Sequence, residues 1–182
     1  MDRRIQKTQV SLVRALRQLM QRYPWSRVSV AMICQEANLA RSTYYAHFAN
    51  KQELLELSIA NLAEELTPDL STRGLDSNGR LRFLPLFLEH VQTHRDIYLC
   101  NRSSTDIQVI LENMRQMTLG LIRREALESS CAGNASDDKL RFVGGGLSAL
   151  IEHWNLEACV EPQALLLERL DKLTQESFCC GT

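Results

Sequence analysis

Residues 29–51 read Ser-Val-Ala-Met-Ile-Cys-Gln-Glu-Ala-Asn-Leu-Ala-Arg-Ser-Thr-Tyr-Tyr-Ala-His-Phe-Ala-Asn-Lys. No other stretch constrains the fold as much. Ser29 is of the type that caps a helix N-terminus, and Val30, Ile33 and Cys34 follow at helical spacing. Asn38 tolerates the left-handed backbone that closes a helix. A second helical segment then runs from about Arg41 to Phe48. Two short helices across a tight turn, the second crowded with hydrogen-bonding side chains, is how a helix-turn-helix presents a recognition helix to the major groove of DNA.

The side chains of that second segment suit the task. An arginine such as Arg41 pairs bidentately with guanine or phosphate. The hydroxyls of Ser42, Thr43, Tyr44 and Tyr45 bond phosphates or base edges. His47 completes the set, and Phe48 is expected to turn inward towards Val30, Ile33, Ala37 and Leu39. Lys51 falls at the next helix start, where its charge and the backbone N–H groups can hold a phosphate.

The flanks are helical. Ile5, Leu12, Leu16, Leu19 and Met20 form an apolar stripe over about 3–22, which Pro24 ends. A fourth helix opens near Lys51 and continues towards Leu66. Residues 67–80 hold Pro68, Gly74, Asp76, Ser77, Asn78 and Gly79, a loop composition. Four further helices are expected at about 80–100, 105–127, 137–158 and 163–178, with a Ser/Gly/Asn-containing separator at 129–136. Apolar residues are 45% of the chain, with only 8 Gly and 4 Pro among 182 residues, which argues against a turn-rich β fold. The expected class is all-α: a three-helix head over 1–62, with its helix-turn-helix at about 29–48, and a helical domain over 63–182.

Charge is distributed unevenly. Residues 1–55 carry nine Lys or Arg against three Asp or Glu, a net +6. The remainder carries twelve against nineteen, a net −7. A basic head on an acidic body suits phosphate contact. The six cysteines form no CxxC pair, the N-terminus has no apolar signal core, and no apolar run approaches a bilayer span. These features imply a cytoplasmic protein with reduced thiols and no membrane partner.

Residues 3–62 resemble the DNA-binding domain of the TetR/AcrR family of bacterial regulators. The resemblance rests on Ser29-Val30, Ile33-Cys34, Ala37-Asn38-Leu39, Ser42-Thr43-Tyr44-Tyr45-Ala46-His47-Phe48 and Lys51-Gln52-Glu53-Leu54-Leu55. It implies an all-α homodimer that binds a double-stranded, pseudo-palindromic operator. It also implies a C-terminal small-molecule effector pocket and dimerisation through the last two helices. Ser29, Arg41, Ser42, Thr43, Tyr44, Tyr45, His47 and Lys51 match DNA-facing or DNA-adjacent positions. One of the aromatic residues is expected to pack inward, and related patterns favour Tyr45. Three departures stand out. Ala40 replaces the usual Ser or Thr cap of the recognition helix, Asn38 stands where Gly is common, and Ala46 stands where a basic residue is common.

The C-terminal part is similar to regulators of the dihydroxyacetone-kinase type through Gly144-Gly145-Gly146-Leu147 followed by Leu150-Ile151-Glu152-His153-Trp154. Three helical glycines imply close backbone approach to a helix or a ligand. Leu147, Ile151, Leu166, Leu170 and Leu173 are the dimerisation candidates, and a core role fits the same spacing. His90, Tyr98 and Trp154 are the pocket candidates. His90 and His94 at i, i+4 have a zinc-binding spacing, but no helical HExxH accompanies them, and polar-face or pocket-lining histidines explain them as well. No nucleophile–base constellation or Gly-rich phosphate loop is present, so neither catalysis nor a cofactor is expected. The function expected is a ligand-responsive repressor, with an activator or co-activator of the same fold as the alternative and a metal-dependent protein using His90 and His94 as a remote one.

Overall fold

The computed structural model describes residues 3–67, 74–76, 78–102, 105–129, 136–157 and 161–179. Among these there are helices and turns and no strand. The helices are α1 (Arg3–Met20), α2 (Val30–Glu36), α3 (Arg41–Tyr45), α4 (Lys51–Glu65), α5 (Leu84–Thr93), α6 (Arg95–Asn101), α7 (Asp106–Leu127), α8 (Asp137–Leu156) and α9 (Gln163–Cys179). A 3-10 turn, Trp25–Arg27, separates α1 from α2. Most of the expected 67–80 loop and 129–136 separator, and Cys131, Cys159 and Cys180, lie outside the described residues.

The chain forms two compact units, Met1–Asn61 with His94–Ile110, and Leu62–Thr93 with Leu111–Thr182. The placement of 94–110 with the N-terminal unit differs from the expected division into 1–62 and 63–182. The helix expected over 80–100 is interrupted at His94, whose φ −104 and ψ 20 leave the helical region. Neither Pro nor Gly stands there. The interruption coincides with the point at which the chain passes from one unit to the other.

In the first unit α1 buries Leu12, Val13, Ala15, Leu16, Leu19 and Met20. It packs on α2 and α6, and α2 packs on α3. The Ser29 hydroxyl accepts the Met32 N–H at 3.3 Å, capping α2. Asn38 takes φ 53 to end it. α4 starts on Asn50, whose Oδ1 accepts the N–H groups of Gln52 (2.9 Å) and Glu53 (3.1 Å). Glu53 reaches back to the Ala49 N–H at 2.8 Å. This reciprocal pair satisfies donors that a helix start leaves open.

In the second unit α9 packs on α5 and α8, and α5 packs on α8. Ser136 caps α8 through the Lys139 N–H. Asp137 and Asp138 in its first turn complement the helix dipole. Arg115 of α7 holds Glu152 of α8 with two bonds of 2.8 Å. The glycine expectation is met at one position of three. A Cβ on Gly144 would lie 3.2 Å from Leu119 Cδ1 of α7, whereas one on Gly145 or Gly146 would meet nothing within 4 Å.

Glu125 of α7 is 4% exposed. It accepts the backbone N–H groups of Arg82 (2.7 Å) and Phe83 (3.1 Å), just ahead of α5. Burial pushes its carboxyl up to about 7, although these two bonds and the charges of Arg124 and Arg82 act to lower it. The folded state therefore keeps the proton where the unfolded chain, with an ordinary value of 4.5, has lost it. Stability from this group is fully present below that value and is lost as pH rises through about 7, a change of up to roughly 3 kcal/mol. The melting temperature should therefore fall between about pH 5 and 7.5, and Glu125→Gln should flatten that slope. Equal slopes in the two proteins, measured by calorimetry, would refute this.

Candidate nucleic-acid interface

α3 is too short for its own backbone to hold it, so its position depends on inward side chains. Its N-cap residue, Ala40, makes no side-chain cap bond. Tyr44 is the anchor, fully buried at 0% exposure. Its ring packs on Phe48 at 5.6 Å and edge-on to Tyr45 at 5.5 Å. Its hydroxyl donates to the Asn50 carbonyl at 2.9 Å, tying α3 to the start of α4. Burial pushes the phenol up to about 12.

This corrects the inward and outward assignment of the tyrosines. Tyr44, expected at DNA, is core. Tyr45, expected to be the packing residue, is 58% exposed. A helix turns about 100° per residue, so neighbouring aromatics cannot both face inward. Tyr44 shares the inner face with Phe48, four residues on.

Arg41, Ser42 and Tyr45 form the exposed face of α3, with Ala46 beyond them. Thr43 and His47 are half-buried at its margins. Ser29 is exposed, with its hydroxyl engaged as the α2 cap. Lys51 is placed differently from the expected phosphate clamp. Its Nζ donates to the carbonyls of Trp25 (2.6 Å) and Val28 (2.9 Å) and lies 4.3 Å from the Trp25 ring centroid. Desolvation lowers its pKa, and the charge of Asp106 opposes that shift. The ammonium thus serves the protein's own turn.

Sequence reasoning missed four residues of this region: Trp25, Glu53, Asn101 and Asp106. The spacing of Asn50 and Glu53 is a capping-box signature and could have flagged Glu53. Trp25, 7% exposed, carries no local signal. Asn101 and Asp106 act on backbone 76 and 80 residues away.

The other candidates are dispersed. Leu147, Ile151, Leu166 and Leu170 are between 0% and 4% exposed within one protomer, so they are core rather than free surface. Leu173 alone of the five dimerisation candidates faces outward, at 43%. Core and interface demand the same heptad-like spacing, so the sequence did not separate them. Of the pocket candidates, His90 and Trp154 fall in the second unit and Tyr98 in the first. Trp154 is buried and donates Nε1–H to the Glu161 carbonyl at 2.8 Å. It borders an open hollow of about 360 Å³ with His153, Glu157, Glu161 and Arg169. His90 lies on α5 and His94 at the interruption before α6. Among the described residues no group of three His, Cys, Asp or Glu could hold a metal ion.

Residues 12–57 match the family of bacterial regulatory proteins, tetR family. Two curated proteins are similar in sequence. One is the uncharacterized HTH-type transcriptional regulator YxbF of Bacillus subtilis, 32% identical over 71 residues, 38% of this chain and 19% of that protein. The other is the HTH-type dhaKLM operon transcriptional activator DhaS of Lactococcus lactis, 33% identical over 91 residues, 50% of this chain and 46% of that one. The chain thus spans less than half the length of either relative. Among solved structures, the dihydroxyacetone kinase operon activator DhaS shares the fold at TM-score 0.67 and 22% identity, covering 94% of this chain and 96% of its own. NalD of Pseudomonas aeruginosa, the secondary repressor of the MexAB-OprM multidrug efflux pump, follows at TM-score 0.57 and 22% identity, covering 95% and 97%. The match to the tetR family covers residues 12–57, and the likeness to the two solved structures is one of fold. No helix among the described residues is long and apolar enough to cross a membrane.

The burial of Tyr44 makes a prediction that its neighbour does not share. Tyr44→Ala should destabilise the head by roughly 3–5 kcal/mol, and Tyr44→Phe by about 1 kcal/mol through the lost bond to Asn50. Tyr45→Ala should leave stability within about 0.5 kcal/mol. Thermal unfolding followed by circular dichroism checks the order, and equal melting of the two alanine variants would refute it.

Proposed function

We propose that the chain is a sequence-specific DNA-binding transcription regulator acting on a pseudo-palindromic operator. The observation that carries this is the outer face of α3, where Arg41, Ser42 and Tyr45 stand exposed within a segment, residues 1–55, of net charge +6. Arginine and hydroxyl groups read base edges and phosphates, and the surrounding charge supplies sequence-independent attraction. Arg41→Ala and Tyr45→Ala should each weaken binding to a fragment selected from a genomic library by about tenfold or more, with melting temperature unchanged. Affinity should also fall linearly in log–log with salt. If both variants bind as the wild type does, α3 is not the reading helix.

The regulator acts as a homodimer, with two α3 helices about one DNA turn apart. Since four of the five leucine and isoleucine candidates are core, the pairing surface proposed is the outer side of α8 and α9. Phe142 is 80% exposed, Leu165 53% and Leu173 43%. Gly145, Gly146 and Ala149 are exposed between Phe142 and His153. An interior helical glycine costs about 1 kcal/mol relative to alanine, and no described neighbour within the protomer requires one at 145 or 146. Close approach of a second α8 would account for both. Phe142→Asp and Gly145→Glu should convert a dimer into a species of 20.8 kDa in sedimentation velocity. A dimer that persists in both variants would refute the assignment.

A small-molecule effector that prefers one spacing of the heads would release or engage DNA by shifting the population. Repression is the reading we favour for the effect on transcription. Activation is the second reading, supported by similarity to DhaS, described as an activator in both comparisons. Target transcript levels after deletion of the gene separate the two, rising for a repressor and falling for an activator.

A further inference from the structure

The Trp25–Arg27 turn is held by three side chains from distant parts of the chain, all within the first compact unit. The Trp25 N–H donates to Asn101 Oδ1 at 2.7 Å. The Ser26 N–H donates to Asp106 Oδ2 at 3.0 Å. The carbonyls of Trp25 and Val28 accept from Lys51 Nζ at 2.6 and 2.9 Å. The turn is thus gripped by acceptors at its N–H end and by an ammonium at its carbonyl end.

The grip is built for fixed geometry. Asn101 is 0% exposed, and its own amide donates to the Ile97 carbonyl at 2.6 Å, which fixes which of its atoms faces Trp25. Asp106 is 7% exposed and is the first residue of α7, where a helix dipole favours its negative charge. Its field also reaches Lys51. Buried polar networks whose members are bonded to one another specify a single arrangement, since each lost bond leaves a desolvated partner.

The location matters more than the strength. Val28 directly precedes Ser29, the cap of α2, and Lys51 is the first residue of α4 after α3. The reading element therefore enters through one held backbone and leaves through the residue holding it. We infer that Asn101 and Asp106 are positioning residues for DNA recognition, setting where α3 is presented without touching DNA. This rests on the DNA-binding reading above. A phosphate-contacting residue changes the number of counterions released, and so the salt slope. A positioning residue changes affinity at constant slope.

The test uses the full chain and DNA selected by the wild type, in a Trp154→Phe background so that Trp25 is the sole fluorophore of the two tryptophans. Asn101→Leu and Asp106→Ala should weaken binding by about tenfold or more. The slope of log K against log salt should stay unchanged, and Trp25 emission should shift to the red. Asp106→Asn, which keeps an acceptor for Ser26, should recover most of the affinity. Wild-type affinity in both disrupted variants, a slope reduced by about one, or no recovery in Asp106→Asn would each overturn the inference. Hydrogen exchange on the unsubstituted protein gives a readout that does not depend on the variants folding. Segments 24–28, 99–102 and 105–107 should be protected together and gain further protection when DNA is added. Exchange of 24–28 at unfolded-chain rates would also overturn the inference. Failure of the wild type to retain any DNA would instead refute the regulator reading, and the exchange of the free protein would still decide whether the turn is held.

Discussion

The packing of one aromatic ring governs the head. A small helical unit has little apolar surface to bury, so each large core side chain carries a large share of its stability. Tyr44 lies at the meeting point of α3, Phe48 and the start of α4. It contributes ring burial and one directional bond, so it fixes both the depth of α3 and its rotation. The outward direction of Arg41, Ser42 and Tyr45 follows from that rotation. With no side-chain cap at Ala40, little else local defines where α3 begins.

Much of this fold was legible in the sequence because it is written in local chemistry. Ser29 and Ser136 cap their helices, and Asn38 takes the left-handed conformation its side chain tolerates. The apolar period of α1 matches its buried face. Periodicity fails where an element is short. Arg41–Tyr45 spans less than two turns, so spacing alone could not tell Tyr44 from Tyr45. It fails again where core and interface want the same pattern, as at Leu147, Ile151, Leu166 and Leu170.

The remaining surprises are non-local. The interruption at His94 has no breaker residue, and it falls where the chain changes unit. Asn101 and Asp106 are unremarkable in sequence and acquire their meaning only through backbone groups at Trp25 and Ser26. Lys51 shows the opposite hazard. Its type and place suggested a phosphate ligand, yet the carbonyl end of a nearby turn was the stronger attraction for a half-buried ammonium.

The glycine run of α8 divides into one closed position and two open ones. Gly144 faces Leu119, so a larger residue there would disturb α7. Among the described residues, nothing lies within 4 Å of a Cβ placed on Gly145 or Gly146. A side chain added at either position therefore meets no described atom of the protomer close to its Cβ. On the pairing proposed for α8, duplicated copies of such a gene would diverge in choice of partner through two codons, keeping mixed pairs from forming while each copy retains its fold.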